Sequence, residues 1–170
     1  MMAFMVNVTN KAKKIRIVLT DVDGVLTDGG MYYSSKGDVM KRFFVRDGMG
    51  VALLRKADIP TIIITKEKNP IITQWAKKMK IRKVYDGILN KELILQEVCK
   101  SFGMTAEQVA YIGDDINDLE LLKIVGLSAT PSDGIPDAKK ICDYVCISAG
   151  GYGAFREIAD MIISSTKVKS

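Results

Sequence analysis

The amino-acid sequence predicts an α/β fold, a Rossmann-like three-layer sandwich in which helices cover both faces of a central parallel sheet. Two observations lead to this prediction. Short apolar runs rich in β-branched residues alternate with amphipathic stretches of helical length, which is the pattern of βαβ units. No internal repeat, low-complexity tract or Pro/Gly-rich linker interrupts the alternation, so the 170 residues are expected to form one domain, over 15–165.

The order of the elements follows from the same alternation. The predicted strands are 15–20, 61–65, 109–112, 127–129 and 144–147. The predicted helices are 48–56, 70–79, 90–102, 116–125 and 154–165. Pro70 suits the first turn of its helix, where an N–H group would be unpaired in any case. The flanking segments, 1–14 and 166–170, are expected to be flexible tails.

One segment, about 30–45, departs from the alternation. Tyr32 and Tyr33 precede a turn that contains Gly37, and a second run of strand-forming residues follows from Val39. Two short strands around such a turn are typical of a β-hairpin. We therefore expect a hairpin flap that projects directly after the first strand.

Composition narrows the possible chemistry. The chain has no histidine, which excludes Ser-His-Asp and Cys-His catalysis and most zinc sites. Its three cysteines, Cys99, Cys142 and Cys146, fit neither a disulfide framework nor a zinc ribbon, and are expected to be buried free thiols of a cytoplasmic protein. The available groups are therefore carboxylates, lysine, hydroxyls and hard metals.

Charge and hydropathy limit the partners. Basic residues outnumber acidic ones by 25 to 20, which favours small anionic ligands or nucleic acid. The lysines lack the interleaved aromatic residues of a single-strand binder, so nucleic acid is not an expected partner. The apolar runs are far shorter than the roughly 18 residues of a membrane helix, and no membrane contact is expected.

Polar residues directly follow three of the predicted strands. Asp21 and Asp23 follow the first strand, Thr65 and Lys66 the second, and Asp114 the third. In an open parallel sheet, ligands bind outside the carboxyl ends of the strands. The three strand ends are therefore expected to converge on one site.

The carboxylates of this site predict a magnesium ion. Asp21 and Asp23 are one residue apart, so both can face one pocket, and Gly24 permits a sharp turn after them. With Asp114 they form an oxygen-only set, which suits octahedral Mg²⁺. A calcium loop or an ordinary turn is the alternative for Asp-x-Asp-Gly alone, but the apolar start of 25–27 interrupts the carboxylates that an EF-hand loop requires.

Such a site could hydrolyse a phosphate monoester. One carboxylate could attack phosphorus to form an aspartyl-phosphate, and a second could protonate the leaving group and then activate water. Mg²⁺ would shield the negative charges of carboxylate and phosphate from each other. Thr65 could donate its hydroxyl to a phosphoryl oxygen, and Lys91 could supply a positive charge, although a lysine in a first helical turn is often only solvated.

Four segments in this order resemble the motifs of the haloacid dehalogenase-like phosphatases: 21–29, Thr65, Lys91 and 113–118. More narrowly, 15–163 resembles the 3-deoxy-D-manno-octulosonate 8-phosphate (KDO 8-phosphate) phosphatases. The resemblance implies a phosphatase that requires Mg²⁺, acts on a phosphorylated sugar acid and carries its hairpin in place of a cap domain. Related capless enzymes are tetramers in which each hairpin helps to close a neighbouring active site, so a homotetramer is expected.

The resemblance also implies a role for each matching residue. Asp21 would be the nucleophile and a metal ligand, and Asp23 the general acid/base and a ligand through its backbone carbonyl. Asp114 would be the remaining protein ligand. Asp115 and Asp118 would support the metal site without binding the ion directly. The residues expected to contact the substrate are Gly24, Arg46, Asp47, Gly48, Lys66, Glu67 and Lys78.

The chain departs from the family pattern after Thr65. The octulosonate phosphatases usually have Gly-Arg there, whereas this chain has Lys66 and Glu67. An arginine can pair with the carboxylate of a sugar acid, whereas Glu67 would repel it unless a cation offsets the charge. The cations that could do so are Lys66, Lys68, Lys78 and Arg46.

Three functions remain open. The leading one is hydrolysis of the phosphate of a 3-deoxy-2-keto sugar acid, with KDO 8-phosphate as the default and a nonulosonate 9-phosphate (KDN or N-acylneuraminate) as the alternative. A second is a general phosphatase of small monoesters, because fold does not fix function. A third is a non-catalytic tetramerisation module, like the domain attached to some acylneuraminate cytidylyltransferases. The intact set of catalytic residues disfavours this third function.

Overall fold

A six-stranded parallel sheet forms the centre of the protein, and the computed structural model describes residues 2–167. The strands of this sheet are β1 (Ile17–Thr20), β4 (Thr61–Ile64), β5 (Lys83–Tyr85), β6 (Val109–Ile112), β7 (Leu127–Thr130) and β8 (Tyr144–Val145). Their order is β5-β4-β1-β6-β7-β8, and every neighbouring pair is parallel. The central parallel sheet predicted from the sequence is confirmed.

Helices cover both faces of the sheet. They are α1 (Met2–Lys14), α2 (Val45–Lys56), α3 (Pro70–Met79), α4 (Glu92–Phe102), α5 (Leu119–Ile124), α6 (Pro136–Ile141) and α7 (Ala154–Lys167). Helices α1, α2, α3 and α7 pack on one face, and α4, α5 and α6 pack on the other. The three-layer arrangement is therefore also confirmed.

Strand β1 shows why both faces need a cover. All four of its residues are buried, with Val18 in the core under α1, α2, α3 and α7, and Ile17 and Leu19 in the core under α4, α5 and α6. Successive side chains of a strand point to opposite faces, so an apolar run without alternation fits a strand that is buried on both sides. This strand carries Asp21 at its end, which places that carboxylate at the centre of the sheet edge.

The predicted hairpin is present. Strands β2 (Tyr32–Ser34) and β3 (Gly37–Met40) form a separate antiparallel pair that projects after β1. Its apolar side chains are exposed, with Met31 at 68% and Tyr33 at 66%. At its base, Phe43 forms an isolated bridge with Thr27 and stacks on Trp75 of α3 at a centroid distance of 4.4 Å.

The prediction of a flexible tail over 1–14 is wrong, because residues 2–14 form helix α1. Val8 and Ala12, one helical turn apart, are buried, and α1 packs against α7. Lys11 also forms an ion pair with Asp143. At the other end, α7 continues to Lys167 instead of ending at 165, and the remaining part of the predicted carboxy-terminal tail, 168–170, lies outside the described residues.

Two short elements were absent from the sequence prediction. Strand β5 has three residues, none of them buried, at the edge of the sheet, and α6 has only six residues. Neither is long enough to display a recognisable period.

Among the cysteines, which are all free, only Cys146 is buried, whereas Cys99 and Cys142 are half-buried. None of the helices in residues 2–167 is both long enough and apolar enough to cross a membrane.

Candidate active site

The polar residues that follow β1, β4 and β6 meet at one end of the sheet. Asp21 follows β1, Thr65 follows β4, and Asp114 comes two residues after β6. Asp21 and Thr65 border a cleft of about 170 Å³ at the carboxyl ends of the strands. The cleft is lined by Asp21, Asp23, Thr65, Lys66, Glu67, Asp115 and Asn117.

Lys91 lies beneath this cleft and binds two carboxylates. Its ammonium group is 2.9 Å from Asp21 Oδ1 and 2.7 Å from Asp118 Oδ1, and its side chain is completely buried. The chain holds Lys91 there because it directly precedes the first residue of α4. Lys91 is therefore not a solvated lysine of a first helical turn, which was the alternative interpretation of its position.

Asp118 uses both carboxylate oxygens to shape the loop after β6. Its Oδ1 accepts hydrogen bonds from Lys91 and from the Tyr111 hydroxyl. Its Oδ2 accepts the backbone N–H groups of Asp114 at 2.8 Å and Asp115 at 3.1 Å. Because all these bonds lie within the protein, Asp118 orients the loop and the Asp21–Lys91 pair.

The donor set fits a hard divalent cation. Carboxylate oxygens of Asp21, Asp114 and Asp118 lie within 4.8 Å of one another. Asp118 is already fully hydrogen-bonded, whereas Asp114 Oδ1 is buried with no hydrogen-bond partner among the described residues. A buried carboxylate oxygen without a partner is costly unless an ion or a proton compensates it. Asp114 rather than Asp118 is therefore free to bind Mg²⁺ beside Asp21.

The electrostatics agree with this fit. Burial raises the pKa of Asp21 to about 7, although the Lys91 ammonium opposes the shift. Burial also raises the pKa of Asp114 to about 8, and the charges of Asp21 and Asp118 add to the effect. The same two carboxylates outweigh the effect of burial on Lys91, so the pKa of Lys91 is raised and its ammonium stays charged. The cluster carries more negative charge than Lys91 alone can balance, and a divalent cation would restore the balance.

Glycine is required where the first loop meets Asp114. Gly24 has a φ angle of +88°, and a Cβ atom there would lie 2.0 Å from Asp114 Oδ2. On its other side, the Gly24 carbonyl lies so close to Gly150 that a Cβ atom at Gly150 would be 1.8 Å from the oxygen. The glycine-rich segment before α7 thus packs directly on the loop that carries Asp21 and Asp23.

A second lysine, Lys41, belongs to the site and was missed in the sequence analysis. It directly follows β3, and its ammonium group is 2.8 Å from Asp23 Oδ1 and 2.9 Å from Glu67 Oε2. Burial acts to lower the pKa of Lys41, but the hydrogen bonds to Asp23 and Glu67 outweigh it and raise the pKa. Lys41 is therefore the cation that offsets the charge of Glu67, in place of the four considered from the sequence. Only the hairpin base brings these residues together, so their spacing along the chain contains no signal.

Four more of the predicted substrate residues are Lys66, Glu67, Arg46 and Lys78, of which only the first two are at the cleft. Arg46 is exposed beside the Phe44 ring, at 5.9 Å from its centroid. Lys78 is exposed near the end of α3, eight residues or about 12 Å along the helix from Pro70, so the structure does not bring it to the cleft.

Asp47 and Gly48, which were also predicted to contact the substrate, are buried and are not among the residues that line this cleft. Asp47 is completely buried, and its Oδ1 accepts the backbone N–H of Arg156 at 2.9 Å in the first turn of α7. Gly48 is buried where α2 meets α3, and a Cβ atom there would lie 2.9 Å from the Met79 sulfur. Both residues hold helices together instead of facing the cleft. Asn117, which lines the cleft, was not assigned a role from the sequence.

Comparison with known proteins identifies the family. A model of the haloacid dehalogenase-like hydrolases matches residues 55–158, which is more than half of the chain. The chain is also 41% identical over 155 residues to the KDO 8-phosphate phosphatase of Haemophilus influenzae, covering 91% of this chain and 86% of that protein. The chain belongs to the haloacid dehalogenase-like hydrolases, in the KDO 8-phosphate phosphatase family. The segments that resemble the four motifs of this family are the first-motif loop (21–29), Thr65, Lys91 and the loop 113–118 after β6.

Solved structures of this family have the same fold. The cobalt-bound KDO 8-phosphate phosphatase of Haemophilus influenzae matches with a TM-score of 0.89 and 40% identity, covering 92% of this chain and 91% of that chain. The Moraxella catarrhalis KDO 8-phosphate phosphatase, in complex with magnesium ion, phosphate ion and KDO, matches with a TM-score of 0.92 and 33% identity, covering 95% and 92%. Both similarities extend over more than nine tenths of the chain.

Proposed function

We propose that this protein is a phosphatase that requires Mg²⁺ and hydrolyses KDO 8-phosphate to KDO and inorganic phosphate. The observation that supports this most is the pair of carboxylates, Asp21 and Asp23, at one cleft with Thr65 and a buried lysine. The Haemophilus influenzae and Moraxella catarrhalis relatives bear the name of this activity, and the latter holds magnesium, phosphate and KDO.

In the proposed reaction, Asp21 attacks the phosphorus atom of the substrate. As the new O–P bond forms, the bond between phosphorus and the sugar oxygen breaks, and Asp23 gives its proton to that oxygen. Asp23 then accepts a proton from a water molecule, whose oxygen attacks the aspartyl-phosphate and releases inorganic phosphate and Asp21. When bound, Mg²⁺ supplies positive charge that shields the phosphate from the attacking carboxylate.

Thr65 and Lys91 prepare the site for the phosphoryl group. The Thr65 hydroxyl oxygen accepts the backbone N–H of Glu67 at 3.2 Å, which leaves its hydrogen free to donate to a phosphoryl oxygen. Lys91 holds the Asp21 carboxylate by its Oδ1. A fixed nucleophile and prearranged donors stabilise charge that develops in the transition state without reorganisation of the site.

The presence of Glu67 favours a second candidate substrate, a nonulosonate 9-phosphate. In the cleft, Glu67 replaces the arginine that is usual in octulosonate phosphatases, and its charge is balanced by Lys41. A carboxylate at this position favours hydrogen bonds to sugar hydroxyls over an ion pair with the acid group of the substrate. A longer sugar with more hydroxyl groups is therefore the alternative.

The test is phosphate release in the presence of Mg²⁺ from KDO 8-phosphate, a nonulosonate 9-phosphate and p-nitrophenyl phosphate, compared by kcat/KM. A preference of about 100-fold or more for KDO 8-phosphate is expected, since the contacts with the sugar contribute several kcal/mol. Preference for the nonulosonate would transfer the assignment to the nine-carbon substrate. Equal, low rates with all three substrates would overturn the proposal and favour a general phosphatase. If no phosphate were released from any of them, the protein would instead be a non-catalytic module.

We also propose a homotetramer in which hairpins close neighbouring active sites. The hairpin exposes the apolar side chains of Met31, Tyr33, Val39 and Met40, which a second copy of the chain would cover. Light scattering after size-exclusion chromatography should give four times the chain mass for wild type. The variant Tyr33→Ser/Met40→Ser should dissociate, whereas Leu93→Ser, an exposed apolar residue of α4, should not. A monomeric wild type would contradict the proposal.

We further propose a cytoplasmic location. The three cysteines are free, and Cys142 and Cys146 form no disulfide although they are four residues apart. Free thiols of this kind are typical of a reducing compartment. Fractionation of cells that express the protein from its own gene would test this, and recovery from an oxidising compartment would contradict it.

A further inference from the structure

Lys41 connects the base of the hairpin to the proposed acid/base residue. Only 4% of its side chain is exposed, and its ammonium group lies among three carboxylates, at 2.8 Å from Asp23, 2.9 Å from Glu67 and 3.5 Å from Asp38. Lysine is almost never fully buried without ionic partners. Three segments meet at this one cation: the loop after β1, the base of the hairpin and the loop after β4.

The two oxygens of Asp23 differ in their surroundings. Oδ1 accepts hydrogen bonds from the Lys41 ammonium at 2.8 Å and from the Thr27 hydroxyl at 3.0 Å. Oδ2 is buried with no hydrogen-bond partner among the described residues. One oxygen is therefore anchored by two donors, and the other is left free to hold the proton.

We propose that Lys41 is a positioning residue of the phosphatase reaction: by anchoring Oδ1 of Asp23, it fixes the orientation of this carboxyl group for proton transfer to the leaving group. This inference rests on the proposed function, in which Asp23 donates its proton as the bond between phosphorus and the leaving oxygen breaks. Without Lys41, Thr27 alone would hold the carboxylate, and Asp23 could rotate toward Glu67 or solvent. Misplacement of a catalytic group by about 1 Å is enough to lower a rate substantially.

The role predicts a dependence on the leaving group. A sugar hydroxyl or a phenol departs slowly unless it is protonated, whereas p-nitrophenolate departs without a proton. Loss of a residue that positions the proton donor should therefore slow the release of a sugar hydroxyl or a phenol. It should have little effect on the release of p-nitrophenolate. The constant kcat/KM isolates this step, because it includes only events up to the first irreversible one, which is departure of the leaving group.

The experiment measures kcat/KM at saturating Mg²⁺ for Lys41→Met, Lys41→Arg and Asp23→Asn with KDO 8-phosphate, phenyl phosphate and p-nitrophenyl phosphate. For Lys41→Met we expect losses of about 10- to 100-fold with KDO 8-phosphate and phenyl phosphate, and less than about 3-fold with p-nitrophenyl phosphate. Asp23→Asn should show the same pattern with larger losses. Lys41→Arg, which keeps a charged donor, should recover most of the rate.

The controls separate positioning from folding and from substrate binding. Lys83→Met removes another lysine–carboxylate pair, 2.9 Å from Glu97 and outside the cleft, and should leave all three rates unchanged. If Lys41→Met is too unstable to purify, Lys41→Met/Glu67→Gln removes a carboxylate together with the cation and keeps the net charge of the cluster. The leaving-group pattern is then read from that variant relative to Glu67→Gln.

Two outcomes would overturn the inference. Equal losses with phenyl and p-nitrophenyl phosphate would show that Lys41 only supports the fold. A loss confined to KDO 8-phosphate would show that Lys41 contacts the sugar acid instead of positioning Asp23. Failure of the proposed function is distinguishable from both, because wild type would then not release phosphate from KDO 8-phosphate, while the two aryl phosphates would still test Lys41.

Discussion

Lys91 and Lys41 both bind a carboxylate of the first-motif loop through side chains that are almost unexposed, at 0% and 4%, but their surroundings differ. Lys91 binds Asp21 and Asp118, whose side chains are 8% and 0% exposed. Lys41 binds Asp23 and Glu67, whose side chains are 28% and 44% exposed. The proposed nucleophile is thus held by the core of the domain, whereas the proposed acid/base is held at the boundary between core and flap.

This difference agrees with what each group has to do. The nucleophile reacts at the same phosphorus atom in every substrate, so a rigid network of sheet and helix suits it. The acid/base acts on the leaving oxygen, which belongs to the variable part of the substrate and is approached from the side of the hairpin. We expect the network of Lys91, Asp21 and Asp118 to determine whether the protein hydrolyses any phosphate monoester. We expect the network of Lys41, Asp23 and Glu67 to determine which leaving groups the protein can release.

The largest effect should come from Asp21→Asn, which removes the nucleophile from the Lys91 network. We expect the variant to fold, because the side chain keeps its size, and to bind Mg²⁺ weakly. Turnover should fall by on the order of 10⁵-fold or more, as for removal of other enzymatic nucleophiles. Phosphate release with KDO 8-phosphate measures this. Residual turnover above about 1% of wild type would refute the assignment of Asp21.

Lys91→Met tests the stability of the same network. The substitution leaves Asp21 and Asp118 buried without their cation, which should lower the free energy of unfolding by about 3 to 5 kcal/mol. Urea denaturation measures the change. As a control, Lys123→Met removes an exposed pair with Glu120 and should cost no more than about 1 kcal/mol. A loss for Lys91→Met as small as that of the control would mean that the network does not hold the core together.

Gly24→Ala tests the space between the first-motif loop and Asp114. The new methyl group would lie 2.0 Å from Asp114 Oδ2, so the carboxylate must move. Mg²⁺ affinity, measured by titration calorimetry, should fall about 10- to 100-fold. Gly103→Ala is the matched control, because its φ angle is also positive, at +62°, but no atom lies within 4 Å of the added Cβ. An unchanged affinity in Gly24→Ala would exclude Asp114 as a ligand.

The smallest effect concerns Asp47, a buried carboxylate that accepts a backbone N–H and has no lysine partner in the described part of the chain. Burial raises its pKa to about 6 in the folded protein, against an ordinary value of 3.8. The folded state therefore holds this proton more tightly than the unfolded chain, and its contribution to stability is lost as the pH rises from about 4 to about 6. At pH 8 the charged group should cost roughly 1 to 3 kcal/mol relative to pH 4.

Asp47→Asn should remove this pH dependence while its side-chain oxygen still accepts the Arg156 N–H. Urea denaturation of both proteins at pH 4.5, 6 and 8 should show the variant gaining stability relative to wild type as the pH rises. Asp160→Asn, an exposed carboxylate that pairs with Arg156, serves as the control and should show no such trend. A constant difference between wild type and Asp47→Asn across the range would contradict the shifted pKa.

Much of the fold could be predicted because fully apolar runs of this length fit only strands at the centre of a covered sheet. The apolar runs that became β1, β4 and β6 are buried on both sides, and polar residues after them must lie at the carboxyl edge. Helix α1 was missed because its apolar residues gain a partner only when α7 is in place. The burial of Asp47 and Gly48 could not be predicted, because it depends on helices that are distant in sequence.

The sequence by itself determined the α/β fold, the hairpin and the convergence of Asp21, Asp23, Thr65 and Asp114, since each follows from local periodicity and from the geometry common to parallel sheets. Only the tertiary structure decided what surrounds these groups. It assigned Asp118 to the support of Lys91, and it placed Lys41 between Asp23 and Glu67. The physical reason is that an ion pair depends on distances of a few ångströms between segments far apart in the chain, and no local pattern encodes such a distance.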